Sequence, residues 1–159
     1  MAFGTREITL HPFGKGNLTA AGSQYSTEVT NTTTTYTAVQ TATIDLPGLD
    51  KILEIEFGIT TAIKTATAQT TLLKVQASDD AVTWVDLCSA ASTTGKTTYV
   101  DVTRSGRFDV TTAGFLGKGQ GKKSPFYLRM VSAKSSTASA TLTSKAKNSS
   151  YLHVVYTGF

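Results

Sequence analysis

The sequence predicts an all-β protein in which two antiparallel sheets form a jelly-roll-like sandwich of eight or nine strands. Apolar and polar residues alternate almost everywhere from Tyr36 onward, which is the period of half-buried strands. Turn residues separate these stretches at near-regular intervals, as they do in all-β sandwiches. No segment keeps helical spacing over three turns, so we expect no helix of ordinary length.

The clearest strand lies within residues 52–59. Four apolar side chains fall on one of its faces and two carboxylates on the other: Leu53, Ile55, Phe57 and Ile59 against Glu54 and Glu56. Paired carboxylates that cleave sugar bonds face each other across the scissile bond. Because Glu54 and Glu56 point the same way from one strand, the pattern favours an exposed charged face over a catalytic pair.

A hairpin is predicted over residues 72–87, with an acidic turn between its strands. Asp79 and Asp80 supply the turn, because short carboxylate side chains accept hydrogen bonds from nearby backbone amides. Two such residues suggest calcium, but calcium takes six or more oxygens and no second acidic cluster accompanies them. We therefore interpret them as a plain turn, and we expect Trp84, the only tryptophan, to anchor the core.

The other strands are delimited by the same alternation, and Ser105-Gly106 is predicted to be a turn. The last strand is apolar on both faces, which predicts a central position in its sheet. These strands are expected over residues 37–46, 96–103, 107–110, 125–131, 137–143 and 151–156.

Residues 1–35 differ from the remainder, with scattered aromatics, several glycines and a polar run at 30–35. One interpretation is an extended N-terminal arm that lies on a neighbouring subunit. The other is a first strand followed by a long loop of the same domain. We divide the chain into this lead-in and a sandwich domain of residues 36–159.

Composition restricts the class of function. The formal net charge of +4 is spread along the chain, so nucleic-acid binding is not expected. Cys88 is the single cysteine, which excludes an intramolecular disulfide and suggests a buried thiol. The sequence shows no secretory h-region and no apolar run of membrane-spanning length, so we expect no membrane association and synthesis in the host cytoplasm.

No catalytic, cofactor-binding or metal-binding residues are predicted, and we expect the protein not to be an enzyme. His11 and His153 lie at opposite ends of the chain without partners at ligand spacing. The glycine-lysine loop of residues 114–124 lacks the spacing of a phosphate-binding P-loop and lies between strands, so it is interpreted as a flexible basic loop. A sugar-stacking platform remains possible if several aromatics point outward: Tyr99, Tyr127, Tyr151 and Trp84.

Residues 75–87, VQASDDAVTWVDL, resemble the strand, Ser-Asp-Gly turn and Thr-Trp strand of discoidin-like and carbohydrate-binding sandwiches. Residues 126–130, FYLRM, are similar to the later Tyr-x-Arg strand of those domains. The same pair of phrases is typical of small β-sandwich virion proteins of tailed phages. Asp80 and Ala81 stand where glycine is usual in the secreted proteins. The resemblance implies a sandwich fold and does not identify a ligand.

Our leading hypothesis is a virion structural protein, a capsid decoration or head-surface protein that binds other virion proteins and itself in a symmetric oligomer. The alternatives are a carbohydrate-binding module of a phage tail or fibre, for which a glycan is the partner, and another virion part such as a tail-tube, collar or minor capsid protein. The residues expected to bind partners lie in the lead-in and in the basic loop: Phe3, Arg6, Phe13, Lys15, Lys118, Lys122 and Lys123.

Overall fold

Two antiparallel sheets face each other across one hydrophobic core. The computed structural model describes residues 4–13, 25–26, 28–46, 49–65, 69–78, 80–95, 97–109, 126–134 and 141–158. Within these ranges it contains strands and no helix, and so no helix that is able to span a membrane. The strands are β1 (Gly4–Leu10), β2 (Val29–Asn31), β3 (Thr37–Ile44), β4 (Leu49–Thr65), β5 (Gln69–Ser78), β6 (Val85–Asp86), β7 (Ala91–Gly95), β8 (Val100–Asp109), β9 (Phe126–Lys134), β10 (Leu142–Ala146) and β11 (Tyr151–Gly158).

The first sheet is organised around β4, a strand of 17 residues. β11 and then β10 lie end to end along one edge of β4, and β8 pairs with the other edge. β1 pairs with β11, and β2 pairs with β10. The predicted central position of the last strand is confirmed, because β11 lies between β1 and β4.

The second sheet has the order β3, β9, β5, with β6 and β7 following one another along the far edge of β5. β5 and β9 are its inner strands, and each is rich in alternating apolar residues. Their inward side chains meet those of β4 and β11, which gives the two-layer packing expected of a sandwich.

The core lies between the sheets and is mainly aliphatic and aromatic, with several buried serines and threonines such as Thr61, Thr71 and Ser144. Ile55, Phe57 and Ile59 of β4 are fully buried, as the alternation predicts. Leu53 departs from the pattern because the pairing of β4 with β11 skips one residue between Glu54 and Ile52. This β-bulge turns Ile52 into the core and leaves Leu53 only partly buried.

The predicted all-β sandwich is confirmed, with eleven strands in the described residues instead of eight or nine. The additional strands are short pieces such as β2 and β6, which are too short to give a periodic signal. The turn predicted at Ser105-Gly106 is wrong, because β8 runs unbroken from Val100 to Asp109. The strand continues through these two residues because Ser105 and Gly106 pair in register with Gly58 and Phe57 of β4.

An extended N-terminal arm is not confirmed. All seven residues of β1 pair with β11, from Gly4 opposite Gly158 to Leu10 opposite Leu152. Phe13 has no exposed surface and belongs to the core. The described part of residues 1–35 therefore contributes an edge strand, a core residue and β2 to the sandwich.

The expectation that Trp84 anchors the core is wrong. Trp84 is partly exposed and stacks on the guanidinium of Arg129, with 3.9 Å between the Arg129 Cζ and the ring centroid. Arg129 alternates with the buried residues Leu128 and Met130 on β9, so it points away from the core. The indole therefore packs on the outer face of the second sheet.

Candidate functional site

Most of the polar side-chain clusters that combine residues from several strands lie on the outer face of the first sheet. Side chains that alternate with the buried residues of β4, β8, β10 and β11 emerge there. Two clusters lie at opposite ends of this face. We call them the Tyr151 groove (Glu54, Glu56, Ser105, Arg107 and Tyr151) and the lysine–tyrosine ladder (Tyr25, Lys64, Tyr99, Lys145 and Lys147).

The Tyr151 groove is an open depression of about 370 Å³ beside Tyr151. Ser105 and Gly106 of β8 line it with little or no side chain, beside Glu56, Phe57 and Arg107. Tyr151 is opposite Gly58 in the register of β11 and β4, and its ring leans over the glycine. The Tyr151 hydroxyl donates a hydrogen bond of 3.3 Å to Glu56 Oε1.

The charged and polar side chains of the Tyr151 groove pair with one another. Arg107 Nη2 donates to Glu54 Oε2 at 2.7 Å, and this hydrogen bond raises the pKa of Arg107. Partial burial, followed by the charge of Glu56 and its hydrogen bond, raises the pKa of Tyr151, so the phenol remains a donor at neutral pH. The groove thus combines a half-buried aromatic ring with fixed donors and acceptors, which is a composition suited to a neutral polar ligand.

In the lysine–tyrosine ladder, ammonium groups and aromatic rings alternate. Lys147 and Lys145 lie 5.7 and 4.7 Å from the centroid of the Tyr25 ring. Lys145 and Lys64 lie 4.0 and 4.8 Å from the centroid of the Tyr99 ring. These are distances at which a cation is attracted to the face of a ring.

Two carboxylates hold the ends of this ladder. Asp101 accepts from Lys147 Nζ at 2.7 Å and from the Tyr25 hydroxyl at 3.2 Å, and the first of these bonds raises the pKa of Lys147. Glu28 accepts a hydrogen bond from the Tyr99 hydroxyl. Burial, together with that bond and the charge of Glu28, raises the pKa of Tyr99.

A second polar network crosses the outer face of the second sheet. Arg129 Nε donates to Gln76 Oε1 at 2.9 Å, and Gln76 Nε2 donates to Asp86 Oδ1 at 2.7 Å. Lys74 Nζ completes the row with a salt bridge of 2.9 Å to Asp86 and lies 4.2 Å from the centroid of the Tyr36 ring. Burial opposes ionisation of Asp86, but the hydrogen bonds from Gln76 and Lys74 lower its pKa. All of these groups are satisfied, which indicates a structural network.

The side chain of Asp80 stabilises the acidic turn through hydrogen bonds within the turn. Asp80 Oδ1 accepts from the backbone amides of Thr83 at 2.7 Å and Val82 at 2.8 Å, and from the Ser78 hydroxyl at 2.9 Å. These bonds lower the pKa of Asp80 to about 2. In the part of the chain that the structure describes, no group of three histidine, cysteine, aspartate or glutamate side chains is close enough to hold a metal ion.

Of the residues predicted to bind partners, two lie in the described ranges. Arg6 is exposed in β1, at the edge of the first sheet. Phe13 is fully buried, so its side chain packs in the core of its own chain. The others lie outside the described residues: Phe3, Lys15, Lys118, Lys122 and Lys123.

The sequence did not reveal the two clusters. Their members come from strands far apart in the chain, and only the register of β4 with β8, β10 and β11 brings them together. Of the aromatics proposed as a platform, Tyr99 and Tyr151 do reach the outer face of the first sheet, at opposite ends, while Trp84 packs on the second sheet. The isolated glycine at position 58 was the available signal, because a glycine inside a strand indicates a close approach.

No family model and no curated protein matches this sequence. Among solved structures, a chain of infectious bursal disease virus, Gt strain, matches 96% of this chain at 12% identity and a TM-score of 0.50. A chain of T=1 particles derived from the same virus matches 97% at 10% identity and a TM-score of 0.48. The N-terminal cellulose-binding domain of β-1,4-glucanase C from Cellulomonas fimi matches 95% at 9% identity and a TM-score of 0.37.

The chain spans 33% and 31% of the two virus chains and 86% of the cellulose-binding domain. At these identities the likeness to the Gt-strain chain shows the fold alone, a β-sandwich that also occurs in virus particles.

Proposed function

We propose that this chain is a non-catalytic structural protein of a virion, a capsid decoration or head-surface protein of a tailed phage, that assembles by contacts between subunits. The observation that carries the proposal is the open edge of β1. In the described residues, β1 pairs with β11 on one side and with no strand on the other. An unpaired strand edge is a template for pairing with another chain.

The side chains of β1 favour a polar, hydrated interface with another subunit. Five of its seven residues are exposed, and Arg6 and Glu7 add charges of opposite sign at the middle of the strand. A second copy that pairs antiparallel with β1 would meet the same exposed, polar edge across a two-fold axis. The β-sandwich shared with a chain of infectious bursal disease virus supports this role as a fold used in virus particles. The virion is then the location, after synthesis in the host cytoplasm.

The oligomeric state of the full chain tests the proposal. Native mass spectrometry and electron microscopy should show a ring, a closed oligomer or a lattice. The double variant Thr5→Lys with Glu7→Lys should remain monomeric, because lysines on an edge strand discourage pairing. Its circular dichroism should be unchanged, since both side chains are exposed.

Ser92→Lys with Thr94→Lys is the matched control, because it also places two lysines at exposed positions of an edge strand, here β7 of the second sheet. This variant should assemble as the natural chain does. A natural chain that stays monomeric at all concentrations would contradict the proposal. Substitutions are preferable to removal of residues 1–35, because that segment includes β1, β2 and the buried Phe13.

The second candidate is carbohydrate binding, favoured by the Tyr151 groove. A half-buried tyrosine ring beside fixed acceptors at Glu56 and Glu54 and a donor at Arg107 is suited to a sugar ring, which stacks on aromatics and presents hydroxyls. Binding to a glycan array, with and without calcium, should be lost in Tyr151→Ala. It should persist in Tyr127→Ala, which removes a partly buried tyrosine from the second sheet. No bound glycan, or equal loss in both variants, would exclude this site.

A further inference from the structure

Two ammonium groups of the lysine–tyrosine ladder share one aromatic ring, and neither forms a salt bridge among the described residues. Nζ of Lys145 and of Lys64 lie 4.0 and 4.8 Å from the centroid of the Tyr99 ring. The three salt bridges among the described residues join other lysines and arginines, so neither of these two has a carboxylate within reach there. A ring attracts cations but does not neutralise them, and two like charges beside it repel each other.

The two carboxylates of the ladder are engaged by other groups. Asp101 accepts from Lys147 and Tyr25, and Glu28 accepts from the Tyr99 hydroxyl. The ladder thus has three lysines against two carboxylates, and only one of the three lysines forms a salt bridge among the described residues.

An open depression of about 310 Å³ adjoins Lys64, and its other lining residues are threonines: Thr65, Thr97, Thr141 and Thr143. Threonine hydroxyls donate hydrogen bonds and carry no charge. Thr65 is 1% exposed, so its hydroxyl does not open into this depression. Thr97 and Thr141 carry the more accessible hydroxyls.

We infer that Lys64, Lys145 and the threonine depression form a binding site for a tetrahedral oxyanion, as carried by a phosphate or sulfate ester. Each ammonium supplies a charge-assisted hydrogen bond, and the hydroxyls supply neutral donors to the remaining oxygens. An anion would supply the charged partner that both lysines lack, which a neutral sugar or an apolar ligand would not do. The site lies on the same face as the Tyr151 groove but at its other end, and it does not depend on the proposed virion role.

Lys74 is a close internal comparison. It also lies over a tyrosine ring, 4.2 Å from the centroid of Tyr36, but it is neutralised by Asp86 at 2.9 Å. An ammonium over a ring that already has its carboxylate has no need of an external anion. Lys74 and the Lys64–Lys145 pair therefore differ in one respect, a salt bridge, and the lack of that salt bridge is the basis of the proposed site.

The test is a nuclear magnetic resonance titration of the ¹⁵N-labelled full chain with sodium phosphate and with sodium sulfate at constant ionic strength, against sodium chloride. Saturable shifts are expected at the amides of Thr65 and Thr143 with at least one of the two oxyanions. In Lys64→Met with Lys145→Met, which keeps the aliphatic stems, affinity should fall by about tenfold or more. Lys74→Met should bind as the natural chain does, and the spectra themselves report that each variant is folded.

Tighter binding of phosphate would assign the ligand to phosphate esters, and tighter binding of sulfate to sulfate esters. Shifts no larger than those with chloride would overturn the inference. Binding that survives in the double variant would overturn it as well, and so would an equal loss in Lys74→Met, because a general charge effect would then be sufficient.

Discussion

The ring of Tyr151 occupies the space that a side chain at Gly58 would need. A Cβ added to Gly58 would overlap Cε1 of Tyr151 and would lie 3.1 Å from Cδ1 and Cζ. The backbone of Gly58 is that of an ordinary strand, so the glycine is required by the ring and not by an unusual φ. Residue 58 and Tyr151 are thus one packing unit across β4 and β11.

We expect Gly58→Ala to destabilise the chain by about 1–3 kcal/mol, the usual cost of forcing extra volume into a packed position. In a Tyr151→Ala background the same substitution should instead stabilise by about 0.5–1 kcal/mol, because alanine restricts the unfolded chain more than glycine does. Urea denaturation of the two single variants and the double variant measures both effects. Effects of opposite sign in the two backgrounds would identify the ring as the cause, whereas destabilisation in both would point to the strand itself.

Arg129 and Trp84 allow a second test, because Trp84 is the only tryptophan and reports its surroundings by fluorescence. Arg129→Lys retains the charge but removes the planar stack and the Nε bond to Gln76. We expect a loss of about 1–2 kcal/mol in the free energy of unfolding and an emission maximum at longer wavelength.

Arg107→Lys is the matched control, since it makes the same exchange on the outer face of the first sheet. The Arg107 side chain is 69% exposed, so its salt bridge with Glu54 is expected to contribute little. Trp84 emission should not change in this variant. An unchanged emission in Arg129→Lys would contradict the stacked arrangement.

The acidic turn makes stability depend on pH. The hydrogen bonds from Thr83, Val82 and Ser78 lower the pKa of Asp80 from 3.8 to about 2. A lowered carboxyl pKa stabilises the fold fully above the unfolded value, and the contribution is lost as pH falls through the folded value. The difference in urea midpoint between the natural chain and Asp80→Ala should therefore shrink between about pH 4 and pH 2.

Val82→Ala provides the comparison within the same turn. Val82 is 81% exposed and does not titrate, so its effect should be small and independent of pH. If the effect of Asp80→Ala were the same at pH 2 as at neutral pH, the carboxylate would not be the group that holds the turn.

The strands were predictable because burial on one face imposes a period of two on the sequence. Ile55, Phe57 and Ile59 follow that rule and are fully buried. The bulge at Leu53 was not predictable, because it depends on the pairing of β4 with β11. Ser105-Gly106 was misassigned for a related reason: local turn chemistry suggested a break, but pairing with β4 carries the strand through.

The candidate sites were less accessible to sequence reasoning than the fold. Lys64 and Lys145 are separated by 80 residues in sequence, and only the register of β4 with β10 places them near one ring. Trp84 was expected in the core because large aromatics usually are buried there, but its position relative to Arg129 in the second sheet decided otherwise. Alternation in the sequence shows which residues face outward, whereas only the register of neighbouring strands shows which side chains they contact.

Asn31 is the clearest example of a residue whose importance the sequence hid, since it stands in the polar run at 30–35. It is 4% exposed in β2, and its Nδ2 donates to the backbone carbonyls of Thr35 and Ser132, each at 3.0 Å. Its Oδ1 accepts from the amide of Thr33 at 2.8 Å. Because Ser132 belongs to β9, this one amide joins the first sheet to the second.

Replacement of Asn31 by alanine should therefore lower the free energy of unfolding by about 2–4 kcal/mol, because it leaves buried carbonyls without donors. Asn31→Asp should cost at least as much, since a carboxylate cannot donate to Thr35 and Ser132. Thr34→Ala, an exposed change in the same run, should lie within about 0.5 kcal/mol of the natural chain. Chemical denaturation measures all three, and equal effects at positions 31 and 34 would mean that the amide does not join the sheets.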